Sequence, residues 1–279
     1  MSNKYNNINI INNTIKKTGL ISKIRAEYLM YILVSTNIDI QDNFPKIYTY
    51  REENERAILE MEYIEGITLY EKHKNQLINA DDIKKILKLV SLFHSQTYTI
   101  SVNEENIKHH YADKLYKRFL EKEQYPFNDF DIIKEKVLLC LNKYLVNNTF
   151  TISSFIHGDL WFSNILIDSK GKIKCIDPRG MINDINTSNG DILYDYAKLY
   201  QSVLGFDYAV YGESYNLDYL NKICIIFEEE VTKLNINIPM LKKITAILIA
   251  GSIYFLDSFE KKKRVWNLLK QILNEITLE

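Results

Sequence analysis

Cysteine is scarce in this chain: three occur among 279 residues, at Cys140, Cys175 and Cys224. They are isolated, odd in number and without the paired spacing of a zinc site. A disulfide framework is therefore not expected, and a reducing cytoplasm fits. Long apolar runs are also missing. None approaches the ~18 residues that a membrane span needs, and the longest stretch, Ile244 to Leu256, reads as a buried helix. The Asn-rich N-terminus lacks the basic-then-apolar pattern of a secretion signal. Excess charge is absent as well: 35 Lys and Arg face 36 Asp and Glu, a formal net charge of −1. Electrostatics gives no pointer to nucleic acid. What remains is an ordinary globular composition, 46% hydrophobic and 25% charged, long enough for one large domain or two lobes.

The order of elements is α+β. Ile8 to Ile11 and Thr14 to Thr18 flank Asn12-Asn13 and predict a hairpin. Ile24, Tyr28, Tyr31 and Ile32 recur at helical spacing from Ser22, a candidate cap, to Val34. Phe44–Tyr50 and Ala57–Tyr63 predict two strands joined by a charged turn. Beyond Glu65-Gly66 the pattern becomes helical: Ile83 to Phe93 form an apolar stripe ending near His94, and further helices are expected over Tyr111–Glu121 and Ile132–Tyr144. Asn164–Asp168 and Ile173–Asp177 read as a hairpin turning at Ser169–Lys172. From about Asp191 to Leu278 the chain is mostly helical. The expected division is a small β-rich lobe, residues 1–66, and a larger helical lobe, residues 67–279, with a hinge at about 61–66.

One run carries chemistry: His157-Gly158-Asp159-Leu160-Trp161-Phe162-Ser163-Asn164. Its spacing, His-x-Asp, four residues, Asn, suits phosphoryl transfer. That reaction needs an aligned hydroxyl nucleophile and charge neutralisation by a divalent cation. Asp159 could orient the acceptor hydroxyl and accept its proton. Asn164 offers a carbonyl oxygen and Asp177 a carboxylate, the hard donors magnesium prefers. The hairpin would bring both to the same end of adjacent strands.

The stretch from Phe155 to Leu199 resembles the aminoglycoside phosphotransferase and choline kinase-like family, which shares the protein-kinase fold. Gly190-Asp191 and Asp195-Tyr196-Ala197 extend the likeness. The resemblance implies Asp159 as catalytic base, Asn164 and Asp177 as Mg2+ ligands, His157 as a brace, and Asp195 as a tie to the loop backbone from the helix below. It also implies a nucleotide, ATP or GTP. A strand lysine should hold the phosphates and pair with a helix glutamate. Lys16 and Lys17 are the candidates on the first long strand and face opposite sides. Lys16 is favoured, because Ile15 and Lys17 would share the other face; Glu27 is the glutamate. Met61–Gly66 resembles the interlobe hinge, where the backbones of Glu62 and Ile64 would meet a purine edge. Leu92-Phe93-His94 resembles a family helix end, with His94 packed or capping. One departure stands out: about a dozen residues precede Lys16, and none is a glycine that would let backbone amides approach phosphate.

Asp177-Pro178-Arg179-Gly180 resembles a segment of phosphotransferase-like proteins associated with bacterial surface polysaccharides. Arg179 either neutralises phosphate or an anionic acceptor, or pairs with Asp184 or Asp191. Trp161, Phe162, Ser163, Tyr194, Tyr200 and Asp207 are acceptor-side candidates, although with 20 tyrosines an aromatic near any site says little. The reading is a Mg2+- and nucleotide-dependent small-molecule kinase. Its acceptor is the hydroxyl of a sugar, amino sugar or amino alcohol, with capsule or lipopolysaccharide synthesis as the setting. No nucleic-acid or membrane partner is expected, and the oligomeric state is open. The alternatives are a non-catalytic nucleotide- or ligand-binding protein on the same fold, or a choline/ethanolamine kinase.

Overall fold

A computed structural model describes residues 7–120, 126–147 and 150–277. Strands β1 (Asn7–Ile11) and β2 (Thr14–Leu20) form the expected hairpin, with Asn12 and Asn13 both at positive φ, 48° and 58°. This is the backbone a two-residue hairpin turn demands, and asparagine tolerates it. Helix α1 (Ile21–Ser35) follows directly. Ser22 falls inside its first turn, and Leu20 occupies the cap position without a side-chain bond, so the predicted serine cap is corrected. Strands β3 (Ile47–Glu53) and β4 (Arg56–Glu62) turn at Asn54-Glu55. The antiparallel sheet runs β1-β2-β4-β3, and α1 packs against its inner face.

Strand β5 (Gly66–Thr68) begins the larger body by pairing with β7. Thr68 and Glu71 form a capping box that starts α2 (Leu69–Lys74), and Asn79 with Asp82 starts α3 (Ala80–His94). Helix α4 (Glu104–Leu115) runs into a π-helical turn, Tyr116–Leu120, so regular α-helix stops earlier than predicted; Glu121 lies outside the described residues. Next come α5 (Phe130–Asn147), β6 (Ile152–Ser153), and the hairpin β7 (Ile165–Asp168) and β8 (Ile173–Cys175). Short strands β9 (Met181–Ile182), β10 (Ile185–Asn186) and β11 (Gly190–Asp191) follow, with β11 on β6. The rest is helical: α6 (Ile192–Val203), α7 (Phe206–Tyr211), α8 (Leu217–Lys233), α9 (Ile238–Ser252) and α10 (Phe259–Glu275). Leu278 lies outside the described residues.

Helix α9 is the hub of the helical body and packs against α5, α6 and α10. Ile238–Phe255 is long and apolar enough to cross a membrane, with mean hydropathy 1.4 over 18 residues, and 61% of it is buried inside the fold. The expectation that no run reaches such a length is corrected. The stretch reaches it because Lys242 and Lys243 are flanked by strongly apolar residues, as a central helix requires. A tilted aromatic group, Phe44, Phe93 and Phe155, joins the sheet side to the helical side. His157 stacks on Phe44 at 6.2 Å, so the loop starts from the core.

Candidate active site

The loop from His157 to Asn164 is fixed by backbone bonds to neighbouring elements. Asp195, one turn into α6 and fully buried, accepts from the backbone N–H of His157 (2.9 Å) and of Gly158 (2.8 Å). His94 Nε2 lies 3.2 Å from the same carboxylate. Burial works against charge on Asp195, but His94 and the loop amides prevail and hold its pKa below the usual value. Gly158 sits at φ +77°, and a Cβ there would come within 2.9 Å of the Arg179 side chain, so glycine fits both the backbone and the space. His157 Nδ1 accepts from the Asp159 N–H at 3.3 Å, and its carbonyl accepts from the Arg179 N–H at 2.9 Å. The loop is thereby tied to the segment that follows Asp177.

Asn164 donates through Nδ2 to the Asp159 carbonyl (2.9 Å) and carboxylate (3.3 Å). Its backbone carbonyl accepts from Ile176 N–H at 3.0 Å. Asn164 and Asp177 therefore lie at the same end of the β7–β8 ladder. Asp177 adopts φ +58°, rare for a residue with a side chain and a form of strain that marks functional positions. Its N–H donates to the Tyr31 hydroxyl at 3.0 Å. One residue beyond Arg179, Gly180 (φ +64°) packs so tightly on α1 that a Cβ would sit 2.2 Å from the Ala26 carbonyl oxygen.

Lys17 is the inward lysine. It is 2% exposed and donates to Glu27 at 2.7 Å and to Asp177 at 2.8 Å. The preference for Lys16 is corrected: Lys16 is half-buried on the other face of β2. Lys17 shares its face with Ile15 and Gly19, opposite Met61, Leu59 and Ala57 of β4, so the apolar neighbours mark the inner side. Burial opposes charge on Lys17, but Asp177 and Glu27 more than offset it and raise its pKa above the ordinary lysine value. Burial pushes the Glu27 carboxyl up to about 7 against the pull of Lys17.

Among the described residues no group of three or more His, Cys, Asp or Glu is placed to hold a metal. One carboxylate and one amide oxygen, from Asp177 and Asn164, nevertheless suit Mg2+, which keeps water and phosphate as its other ligands. At the junction of the two parts, the Glu62 N–H donates to the Lys46 carbonyl at 2.8 Å. Ile64 has a buried side chain, and its backbone N–H makes no hydrogen bond among the described residues.

No protein-family model and no curated protein matches the chain in sequence. Its structure is similar to that of a choline/ethanolamine kinase family protein from Mesorhizobium loti, with TM-score 0.62 and 12% identity over 98% of this chain and 86% of that one. Choline kinase from Cryptosporidium parvum Iowa II gives 0.58 and 13%, over 99% and 87%. An aminoglycoside-3'-phosphotransferase of type VIII gives 0.51 and 11%, over 98% and 90%. The chain has the fold of these kinases. It is two-lobed and α+β, with a small antiparallel sheet ahead of a helical body. At this level of identity the likeness is one of backbone, not of acceptor.

The acceptor-side candidates separate. Trp161 packs against Phe206 and Tyr211. The Ser163 hydroxyl donates to Asp207 at 2.8 Å and receives a bond from Tyr211 at 3.2 Å, so it is engaged within the fold. Burial pushes the Asp207 carboxyl up to about 6 against Ser202 and Ser163. Tyr200 is buried and donates to Glu228. Arg179 makes no ion pair with Asp184 or Asp191 among the described residues. It lies 4.4 Å over the Tyr194 ring, with Nη1 3.4 Å from His110 Nε2. Asp191 instead caps α6 and accepts from Tyr111 and Tyr144.

The sequence reading missed Lys198, which pairs with Asp159 at 2.8 Å. Its position was legible, since it lies three residues after Asp195 on one helix face. Burial opposes charge on Asp159, but Lys198 and Arg179 outweigh it and hold the carboxyl down at about 2.

Proposed function

We propose that this protein is a small-molecule kinase that transfers the γ-phosphoryl group of a nucleoside triphosphate, ATP or GTP, to an acceptor hydroxyl. The carrying observation is the convergence of Asp159, Asn164, Asp177 and the Lys17–Glu27 pair on one site. In this reading Asp159 receives the hydroxyl proton, and its depressed pKa keeps it ionised for that role. Lys17, held by Glu27, reaches the nucleotide phosphates. Asn164 and Asp177 hold Mg2+, which when bound supplies charge neutralisation. Asp195 and His157 keep the loop in place. The Ile64 N–H, unbonded among the described residues, is a backbone donor for a purine edge, and Glu62 lies beside it. Residues 1–66 form the nucleotide lobe and 67–279 the catalytic and acceptor lobe.

The acceptor is a sugar, amino sugar or amino alcohol in the cytoplasm. The surface-polysaccharide setting is carried by the Asp-Pro-Arg-Gly segment alone. The test is phosphoryl transfer and nucleotide binding by Asp159→Asn and Asp177→Ala. Asp159→Asn should cut turnover by about 1,000-fold and leave Mg-nucleotide affinity near normal. Asp177→Ala should weaken Mg-dependent binding itself. Wild-type protein that neither binds nor hydrolyses ATP or GTP would instead be a non-catalytic ligand-binding protein. Asp159→Asn with full turnover would remove the base assignment.

A further inference from the structure

Four cations from separate elements surround the acceptor side of Asp159: Lys114 on α4, Arg118 in the π-helical turn after it, Arg179 beyond Asp177, and Lys198 on α6. Lys198 pairs with Asp159. Lys114 and Arg179 have no carboxylate within ion-pair distance among the described residues. Both instead reach the same neutral groups. Lys114 Nζ donates to His110 Nε2 and lies 3.2 Å from the Tyr194 hydroxyl and 5.0 Å from that ring's centroid. The Arg179 guanidinium approaches the same imidazole nitrogen and lies over the same ring.

His110 is 4% exposed. Burial, with Lys114, Arg179 and Arg118 around it, lowers its pKa and keeps it neutral. It therefore accepts from the two cations and adds no charge of its own. Two cations brought to one nitrogen repel each other. Burial pushes the Lys114 pKa well below its ordinary value, and Arg179, Arg118 and Lys198 add to this, with Asp159 opposing. Among the described residues the pair has no directly bonded carboxylate, and Asp159, itself paired with Lys198, offsets its charge only from farther off; an entering anion would add a direct partner. His110, Arg179, Asp191, Tyr194, His157 and Gly158 line one cleft, so Arg179 faces a space that reaches the residues just before Asp159, and Lys114 adjoins it through His110 and Tyr194.

Lys17 belongs to a different set. From β2 it is held by Glu27 on α1 and by Asp177 after β8. Lys114 comes from α4 and Arg179 from the segment after β8, and the two meet at His110 on α4 and Tyr194 on α6. We propose that Lys114 and Arg179 bind an anionic group, phosphate or carboxylate, on the acceptor, so that the kinase acts on a hydroxyl of a negatively charged small molecule. This rests on the kinase reading above and narrows it. A cationic acceptor such as choline or an aminoglycoside would meet like charge here.

The experiment measures thermal shift and binding of wild type with inorganic phosphate, glucose 6-phosphate, glucuronate, glucose, choline and kanamycin, with and without Mg-ATP, followed by phosphoryl transfer. The anionic compounds should raise Tm and the neutral and cationic ones should not. Glucose 6-phosphate against glucuronate decides between phosphate and carboxylate. Lys114→Gln/Arg179→Gln should weaken the anionic ligand at least about 10-fold while Mg-ATP affinity stays within twofold. Lys114→Arg should retain binding. Without ligand, Lys114→Met should melt higher than wild type, by about 2 °C, because the repulsion is gone; this also shows that the variant folds. Preference for glucose, choline or kanamycin would overturn the inference. So would equal weakening of Mg-ATP in the double variant, since the pair would then serve the nucleotide. Anion binding without nucleotide binding would sink the kinase reading and leave the anion site standing; nucleotide binding without anion binding would do the reverse.

Discussion

On the helical side of the cleft, the loop from His157 to Asn164 is tied down at nearly every step, by Asp195, by Ser202 on the Phe162 N–H, by Arg179 and by Asn164 itself. At the opposite edge, β1 exposes all five of its residues and pairs with β2 alone. Ile10 there is 60% exposed and Ile11 57%. The contrast teaches where precision is needed. In the kinase reading, aligning an acceptor oxygen and a metal leaves little tolerance, whereas an edge strand such as β1 would need only to cover a nucleotide.

The largest expected effect tests whether the braced side really reaches across to β2. Lys17→Met breaks a buried pair and strands Glu27, so it should cost about 3 kcal/mol of stability and at least tenfold in nucleotide affinity. Lys16→Met should change both little. Calorimetric melting and nucleotide titration of the two variants check this, and equal losses would erase the distinction between the two faces of β2. Next comes Gly180→Ala, which meets both a left-handed φ and the Ala26 carbonyl. A loss of about 2 kcal/mol in urea unfolding is expected, and an unchanged midpoint would show that the α1 contact is looser than described.

A smaller effect depends on pH. The Asp207 carboxyl titrates at about 6 in the folded chain, above its ordinary value of 3.8. The folded state therefore holds this proton more tightly than the unfolded one. The stability this lends is complete below the unfolded pKa and is lost as pH rises through about 6. Asp207→Asn, which can still accept from Ser163, should gain on wild type by about 2 kcal/mol between pH 4 and pH 7.5. Parallel melting curves across that range would refute it. The smallest effect belongs to β1: Ile10→Ser should stay within about 0.5 kcal/mol of wild type, and a large loss would mean that the strand is braced after all.

Legibility followed the same divide. The Asp159 loop and its hairpin could be read because their residues are close in sequence and a tight turn fixes their register. The Lys16–Lys17 choice went wrong for a definite reason: alternation says that the two differ but not which is inward. The buried series Ala57, Leu59 and Met61 on the partner strand settles the matter, and Ile15 beside Lys17 was a clue to the same answer. Lys114 and Arg118 could not be joined to Asp159 from sequence, since nothing local relates α4 to a loop some forty residues later. Packing around Tyr194 and His110 brings Lys114 to Arg179, and Arg118 stands against Phe255 beside them.

The seat of Gly180 against Ala26 has a consequence for control. Helix α1 is bound to the Asp177 segment at three points: through Glu27 and Lys17, through the Tyr31 hydroxyl, and through this backbone contact. A helix held so closely cannot swing out as a switch without carrying the Asp177 segment with it. The assembled arrangement is therefore the resting one.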